Sequence, residues 1–196
     1  MGKVTAGFSM SMDGFVAGED DGVDRVFNWY SMGGGSAEVP AGDSAFTLSM
    51  EGAEFIRDAG RAAGVLVSAR RTFDIANAWG GRHPMGVPVV VVTHSPPQEW
   101  LGREGSPFTF VTDGVVSAIA KAREIAGDKD VVVGAPSVTQ QCLRLGLLDE
   151  IHIDLVPLLL GRGVRLFEQI EAPMELLVTA VSGTPHVTHL TYRLIR

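Results

Sequence analysis

The feature that most constrains the fold is a strand, a glycine turn, a helix and a second strand, encoded one after another in residues 130–167. Three consecutive valines, residues 131–133, are typical of a strand covered on both faces of a sheet. Gly134 ends this run, and Pro136 fits the first turn of a helix because its missing N–H would be unpaired there. This order of elements predicts an α/β protein.

The turn between this strand and its helix is a candidate anion-binding site. Val138, Cys142 and Leu145 recur at helical spacing, so the helix is predicted to begin near Pro136 and to stop at Gly146. Backbone N–H groups and the positive end of the helix dipole would then face the carboxyl end of the strand. A phosphate is the ligand that such a turn favours, although most turns of this kind in α/β proteins bind nothing.

Composition indicates a single domain spanning residues 1–196, with 45% hydrophobic and 20% charged residues. No apolar run approaches the roughly 20 residues of a membrane-spanning helix, so no membrane partner is expected. The first residues lack the uninterrupted apolar segment of a secretory signal, which predicts a cytoplasmic location. A net charge of −7 with scattered basic residues argues against a nucleic-acid partner.

The first predicted strand has one apolar and one small polar face, because apolar residues alternate with small polar ones across residues 4–13. Small polar side chains leave room for a ligand, which favours the wall of a cleft over a half-exposed strand. The following residues, 18–43, are acidic and glycine-rich and include Trp29 and Tyr30. A long loop with aromatic residues is interpreted as a functional lid, and a floppy insertion is the alternative for residues 32–42.

The rest of the chain alternates between predicted helices and strands. Amphipathic helices are predicted over residues 46–63 and 115–126, and a short helix over residues 69–78. Residues 174–182 and 187–195 are predicted to pair as an antiparallel hairpin at the sheet edge, because a turn-forming cluster separates them. Further buried strands are predicted over residues 64–68, 88–92 and 108–111 and in a segment ending at Pro157.

No metal site is predicted. His186 and His189 are three residues apart on the last predicted strand, so they point to opposite faces and cannot hold one metal ion together. Glu150, His152 and Asp154 share a face, but their alternation with apolar residues is what a half-exposed strand shows by default. The sequence also lacks a Walker phosphate loop, GxGxxG, a zinc-helix motif and a nucleophile elbow.

Three segments carry a resemblance to a known family: FSMSMDGFVA (residues 8–17), LVSARRTF (residues 66–73) and residues 131–167. Together and in this order they resemble the dihydrofolate reductase superfamily, especially its branch related to the RibD C-terminal reductase domain of bacterial riboflavin biosynthesis. The resemblance implies a three-layer αβα fold, with a central mixed, mostly parallel sheet and an antiparallel C-terminal strand. It also implies NADPH, or alternatively NADH, across the carboxyl ends of the strands, and hydride transfer to a small heterocyclic or sugar-like substrate.

By motif position, the resemblance also implies which residues of this chain bind the cofactor. Val16 and Ala17 would lie near the nicotinamide ring. The other positions are Arg70, Arg71 and Thr72 at cofactor phosphates, Thr93, His94 and Ser95 near the adenosine ribose phosphate, and Gly134, Ala135, Pro136, Ser137 and Val138 around the pyrophosphate.

The chain departs from the family pattern at several positions. Ala69 and Ala135 replace glycines where the backbone would approach phosphate closely. His94 stands where many members have arginine, and Val133 replaces a glutamate that is common in riboflavin-pathway reductases. The two alanines, together with the lack of an assigned acidic proton donor, favour an alternative, a degenerate, non-catalytic homodimer that keeps the fold and binds a ligand.

The proton donor is not assigned by the resemblance. Folate reductases keep an acidic residue in their first long helix, where Glu51 and Glu54 are candidates but are more readily explained as surface carboxylates. Asp13 is a candidate catalytic residue from its place in the cleft and, equally, a turn former before glycine. Members of this branch often form homodimers, so a homodimer is expected, with residues 151–160 as a pairing surface.

Overall fold

The computed structural model describes residues 2–168 and 170–195. Its helices are α1 (Asp24–Phe27), α2 (Met50–Ala62), α3 (Arg70–Ile75), α4 (Val115–Ala126) and α5 (Pro136–Arg144), with short 3-10 turns at Asn28–Ser31, Asn77–Gly81 and Gln98–Trp100. Its strands are β1 (Val4–Ser11), β2 (Phe15–Ala17), β3 (Ala37–Ala41), β4 (Ser44–Leu48), β5 (Ala63–Ala69), β6 (Val89–Val92), β7 (Phe108–Val111), β8 (Asp130–Val133), β9 (Glu150–Val156), β10 (Val164–Arg165), β11 (Leu176–Thr184) and β12 (Val187–Leu194).

The central sheet has eight strands in the order β11-β12-β9-β1-β8-β5-β6-β7. From β9 to β7 every neighbouring pair is parallel. At the other side β12 runs antiparallel to both β9 and β11, so the C-terminal hairpin forms an antiparallel edge. The prediction of a mixed, mostly parallel sheet with an antiparallel C-terminal strand is confirmed.

Two hydrophobic clusters cover opposite faces of this sheet. The larger one joins Val65 and Val67 of β5 to buried residues of α4 and α5. The smaller one joins Leu66 of β5 to Phe73 of α3. Alternate residues of one strand therefore enter different clusters, which is the period-two pattern of a strand buried on both faces. The predicted three-layer arrangement follows from this packing.

The helix predicted from residue 46 begins later than expected, so that prediction is wrong for residues 46–49. Phe46 pairs with Val39 in the β3–β4 hairpin, and α2 starts at Met50. The Ser49 side chain accepts a hydrogen bond from the Gly52 N–H at 3.0 Å and so caps the helix. Ser49 could have indicated where the helix begins. The apolar residues before it continue the helical spacing, so the helix was predicted to begin too early.

The sequence predicts a long loop over residues 18–43, but the structure has α1, a 3-10 turn and β3 within them. Trp29 in the 3-10 turn is buried against Val156 and Val187. The alternative of a floppy insertion fails for residues 37–41, which pair with β4. This segment folds over one face of β1.

Two predictions about the C-terminal half also need correction. His186 lies in the turn before β12 rather than on the last strand. Residues 151–156 belong to β9, which has β1 and β12 on its two sides, so its edges are not available for pairing with a second chain, whereas Leu159 in the following loop is exposed. Within residues 2–168 and 170–195, no helix is both long and apolar enough to cross a membrane.

Candidate functional site

The structure brings all four groups of predicted cofactor-binding residues to one edge of the sheet. The parallel strands β1, β5, β6 and β8 end at this edge, because parallel neighbours share a direction. Val16 and Ala17 lie on β2, which follows β1 after a turn. Arg70, Arg71 and Thr72 start α3 after β5, Thr93 to Ser95 follow β6, and Gly134 to Val138 connect β8 to α5.

The turn from β8 into α5 presents backbone N–H groups at this edge. The Gly134 N–H donates to the Val67 carbonyl at 2.9 Å, which fixes the turn against β5. The first helical bond runs from the Thr139 N–H to the Ala135 carbonyl at 2.9 Å. The N–H groups of Ser137 and Val138 therefore lie before the first backbone hydrogen bond of the helix, and no described side chain caps this helix. Such a turn suits an anion.

The methyl group of Ala135 does not narrow this turn. Ala135 is fully buried and packs in the larger hydrophobic cluster together with Val133 and Val138. Its φ of −132° is one that any residue adopts, so the position does not require glycine. Ala69, the N-cap of α3, has a φ of −101° and packs against the same cluster. Both departures from the family glycines are accommodated by the core.

The two arginines at the start of α3 differ in their partners. Arg70 Nε donates to both carboxylate oxygens of Asp74 at 2.8 Å, and its Nη1 donates to the Ser95 carbonyl. Arg70 thereby ties α3 to the turn after β6. Arg71 Nη2 donates to Asp21 at 2.6 Å, in the segment that follows β2. Both pairs are partly exposed, so each contributes little net free energy and a bound anion could compete for the guanidinium groups.

The turn after β6 is held by Thr93. Its hydroxyl accepts a hydrogen bond from the Ser95 N–H at 3.1 Å and donates to the Ser95 carbonyl at 3.0 Å. His94, at the tip of this turn, is exposed. The turn thus presents His94 at the same edge as Arg70.

Asp13 serves as a clamp between two loops. Its carboxylate accepts hydrogen bonds from the Ser11 hydroxyl at 2.6 Å and from the backbone N–H groups of Leu160 and Gly161 at 3.1 and 2.7 Å. The Ser11 bond, supported by the Gly161 and Leu160 bonds, lowers the pKa of Asp13 from 3.8 to about 2. A carboxyl group that stays ionised to such low pH is a poor proton donor, so this geometry argues for the turn-former interpretation of Asp13.

The loop held by Asp13 continues into a close backbone contact with β2. Gly163 has a φ of +145°, and a Cβ atom there would lie 2.0 Å from the Ala17 carbonyl oxygen. The next residue, Val164, pairs with Ala17 in the short β10–β2 sheet. Only glycine fits at this position. The glycine-rich loop after β9 thereby fixes β2, the strand that carries Val16 and Ala17.

A second group of polar residues lies on one face of β1, β9 and β12. Ser9 is in register with Asp154, and Asp154 with His189, so the three side chains are neighbours across the sheet. His189 Nδ1 lies 2.6 Å from Asp154 Oδ1, and Trp29 Nε1 donates to Ser9 Oγ at 2.9 Å. Trp29 thus covers Ser9 on the face of β1 that is interpreted as a cleft wall. We call Ser9, Asp154 and His189 the strand triad.

A small cavity of about 70 Å³ adjoins the strand triad. Glu51 lines this cavity, whereas Glu54, the other acidic candidate on α2, is exposed elsewhere. Tyr30 lies beside the triad, and its pKa is raised by burial and by the nearby Asp154. The cavity is lined by Trp29, Met32, Glu51, Gly52, Phe55, Thr184, Val187 and His189.

Sequence reasoning missed the strand triad because its signal is spread over three distant segments. Asp154 and His189 were each visible as polar residues on alternating strands, but only the β9–β12 register places them side by side. Among the residues that the structure describes, no group of three or more histidine, cysteine, aspartate or glutamate side chains could hold a metal ion.

Comparison with solved structures shows the fold. The chain is similar to a riboflavin biosynthesis protein from Shewanella sp. PV-4, with 22% identity, 99% of both chains covered and a TM-score of 0.73. It is similar to the diaminohydroxyphosphoribosylaminopyrimidine deaminase/5-amino-6-(5-phosphoribosylamino)uracil reductase of Thermotoga maritima, with 13% identity and a TM-score of 0.65, covering 99% of this chain and 57% of that chain. It is also similar to a dihydrofolate reductase from Enterococcus faecalis complexed with NADP(H), with 14% identity, 99% and 97% coverage and a TM-score of 0.63.

Sequence comparison adds the family. No curated protein matches the chain significantly. Residues 2–188 match the family described as the RibD C-terminal domain, which is nearly the whole length. The resemblance inferred from the three sequence segments is confirmed, and with reductases among the structural neighbours it supports the prediction of an oxidoreductase. The chain belongs to the RibD C-terminal domain family.

Proposed function

We propose that this protein is an NADPH-dependent reductase that transfers a hydride to a small heterocyclic or sugar-like substrate. The observation that carries the proposal is the uncapped N-terminus of α5 at the carboxyl edge of the sheet, with Arg70 and His94 at the neighbouring turns. Family membership and the Enterococcus faecalis structure, which was solved with NADP(H), support it.

The residues at this edge fit a nicotinamide dinucleotide. Two backbone N–H groups of α5, those of Ser137 and Val138, precede the helical ladder and suit a pyrophosphate. The Ala135 methyl group is buried in the core and leaves the turn open. When bound, the cofactor supplies the hydride, and the protein supplies position and a proton.

The remaining contacts are assigned by position. Arg70, Arg71 and Thr72 would hold cofactor phosphates, and the turn from Thr93 to Ser95 would hold the phosphate on the adenosine ribose. Arg70 donates to the Ser95 carbonyl, so one guanidinium group lies between the two turns that would hold these phosphates. On β2, Val16 and Ala17 would face the nicotinamide ring. Asp13 would act as a positioning residue that fixes the loop against which β2 pairs.

The second candidate is a non-catalytic binding protein of the same fold. The observation that favours it is the pairing of Arg70 with Asp74 and of Arg71 with Asp21, which places a carboxylate beside each cation. Carboxylates at a phosphate site repel the ligand unless they turn away on binding.

Titration with NADPH and NADH while following thermal stability tests the reductase proposal. A ligand that binds only the folded state raises the melting temperature as its concentration passes the dissociation constant. We expect both to stabilise the protein, and NADPH to do so at lower concentration. If neither nucleotide shifted the melting temperature at millimolar concentration, the reductase proposal would be rejected and the non-catalytic candidate would remain.

We also propose a homodimer that pairs through β11 rather than through the strand predicted from sequence. β11 is an outer strand of the sheet, and Leu177, Val178 and Val181 on it are half exposed or more. A long, exposed apolar edge strand is a template for pairing with a second chain.

Light scattering on Val181→Lys tests this interface. The substitution puts a charge on an apolar edge, so we expect the variant to have half the wild-type mass. Val116→Lys on α4 is the matched control, because Val116 is similarly exposed and far from β11 in sequence. The proposed interface would be rejected if the wild-type protein had the mass of a monomer, or if Val181→Lys had the same mass as the wild type.

A further inference from the structure

Reduction of a carbon–nitrogen double bond requires a proton as well as a hydride. Asp13 is held as an ionised clamp by three hydrogen bonds, and Glu54 is exposed outside the cavity. The group that can give the proton must face a space that a substrate atom can enter. Of the described residues, His189 and Glu51 are the titratable side chains that line the cavity beside β1.

We infer that His189 donates this proton, that Asp154 is the residue that positions it, and that the cavity beside His189 receives the proton-accepting end of the substrate. The inference rests on the proposed reductase function and names a residue for it. It assigns Glu51 no part in the proton transfer.

The ring of His189 is held in one orientation. Its Nδ1 atom lies 2.6 Å from Asp154 Oδ1, and Asp154 is buried in the middle of the sheet. The ring stacks on Phe55, with centroids 5.1 Å apart and planes at 20°, and meets the edge of Trp29 at 5.3 Å. A carboxylate at Nδ1 keeps a proton on that atom, so Nε2 is the atom that remains for exchange with a ligand.

The charged and titratable groups around the ring come from three elements. Asp154 faces it from β9, Glu51 lines the same cavity from α2, and Tyr30 lies beside Asp154 from the 3-10 turn. Burial and Asp154 raise the pKa of Tyr30, so this hydroxyl stays neutral. Asp154 and Glu51 thus place two carboxylates around the ring, and only Asp154 lies within hydrogen-bonding distance of Nδ1.

The cavity accepts only the end of a substrate. Its volume is about 70 Å³, and a water molecule occupies about 30 Å³ of liquid. A ring nitrogen or imine nitrogen with its immediate neighbours would fit there, and the remainder would extend toward the carboxyl end of β1. Trp29, held by its bond to Ser9 at 2.9 Å, closes the cavity on the side of residues 28–32.

The proposed step balances in atoms and electrons. The substrate carbon receives a hydrogen with both bonding electrons from the reduced nicotinamide, which is oxidised, and the carbon–nitrogen π bond breaks. The nitrogen takes the proton from His189 Nε2, so the double bond is reduced to an amine. His189 is left neutral and regains a proton from solvent, since its side chain is 25% exposed.

The experiment compares His189→Ala, His189→Gln, Asp154→Asn and Glu51→Gln with His186→Gln. His186 is the matched control, because it is a histidine three residues away that does not line the cavity. NADPH oxidation is followed with 7,8-dihydrofolate and with a ribosylaminopyrimidine as probes. Nitrogen-15 spectra of the histidine rings are recorded on the protein without cofactor.

We expect the spectra to show the proton of neutral His189 on Nδ1, and Asp154→Asn to abolish this preference. We expect His189→Gln to lower kcat about 100-fold or more, the usual contribution of a general acid, while KM and the NADPH thermal shift stay near wild type. Added imidazole should restore turnover in His189→Ala in a saturable way, which a merely structural histidine would not show.

Three outcomes would overturn the inference: a neutral His189 protonated on Nε2, turnover in His189→Gln equal to that of His186→Gln, or a loss of turnover in Glu51→Gln in place of His189→Gln. Absence of any NADPH thermal shift in the wild-type protein would instead overturn the proposed reductase function. The two failures are therefore distinguishable.

Discussion

The carboxyl edge of the sheet and the strand triad are built in different ways. At the edge, the chain uses local features, in which each strand is followed directly by its own turn or helix, as with β8, Gly134 and α5. The strand triad takes one side chain from each of β1, β9 and β12, separated by more than 30 residues at each step. A site made of consecutive elements can be recognised in the sequence, whereas a site that depends on the register between distant strands cannot.

The two regions also tolerate change differently. The edge depends mainly on backbone geometry, as in the turn from β8 into α5 and at Gly163, where a Cβ atom would meet the Ala17 carbonyl oxygen. Arg70 is the side chain that adds to this geometry, because its guanidinium group links α3 to the turn after β6. The triad depends on particular functional groups within hydrogen-bonding distance, such as Asp154 and His189. Substitutions at the edge should therefore act on stability and cofactor affinity.

The largest effect is expected for Gly163→Ala. A methyl group would lie 2.0 Å from the Ala17 carbonyl oxygen, so the β10–β2 pair would have to separate. We expect a loss of about 2–4 kcal/mol in the free energy of unfolding, measured by urea denaturation, and weaker NADPH binding.

Gly161→Ala is the matched control for that prediction. Gly161 has a φ of +78° but no described atom within 4 Å of a Cβ position. We expect a cost of about 1 kcal/mol from the backbone conformation alone. Equal losses in the two variants would show that the contact with Ala17 is not important.

The next effect is expected for Arg70→Gln. Arg70 links α3 to the turn from Thr93 to Ser95, so its loss should weaken NADPH binding by about tenfold, or 1.4 kcal/mol. NADH binding should weaken less, because NADH lacks the ribose phosphate. Calorimetric titration measures both, and Arg144→Gln at the other end of α5 should change neither.

Ala135→Gly tests whether the methyl group of Ala135 obstructs the turn between β8 and α5. If the methyl group obstructed the turn, its removal would increase NADPH affinity. Because Ala135 is buried in the core at a φ of −132°, we expect no gain in affinity and a loss of about 1–2 kcal/mol in stability. A clear gain in affinity would restore the idea of a degenerate site.

The smallest effect is expected for Asp13→Asn and depends on pH. The pKa of Asp13 is lowered from 3.8 to about 2, so its ionised form stabilises the fold above pH 3.8, and this contribution is lost as the pH falls toward 2. The free energies of unfolding of wild type and variant should therefore converge between pH 4 and pH 2. Glu104→Gln, at an exposed position, should show no such convergence, and a constant difference for Asp13→Asn would contradict the clamp.

Much of the fold could be predicted because its signals are local. The helix over residues 115–126 and the strand over residues 108–111 have the predicted bounds, since a glycine or a turn residue ends each pattern. The family segments also placed Gly134 and Arg70 at strand ends, where the structure has them. By contrast, the boundary near residue 46 failed because a strand and a helix that follow each other can share one apolar spacing.

The strand triad could not be predicted for a physical reason. Alternation identifies which side chains share a face of one strand, but pairing between β9 and β12 is fixed by the whole sheet and not by either segment. The same limit applies to the pairing surface. The turn between the last two strands predicted a hairpin at the sheet edge, but no local pattern shows that β9 is internal. An apolar strand has a similar sequence pattern whether it lies inside the sheet or at its edge.

Amide chemical shifts on addition of NADPH test whether the turn after β8 binds the cofactor. If the turn after β8 holds the pyrophosphate, the amide signals of Ser137 and Val138 should shift most strongly, with smaller shifts at Ala17 and Ser95. Signals of Asn77–Gly81, which lie outside the predicted set, should stay unchanged. Unchanged signals of Ser137 and Val138 in the presence of bound NADPH would contradict the account.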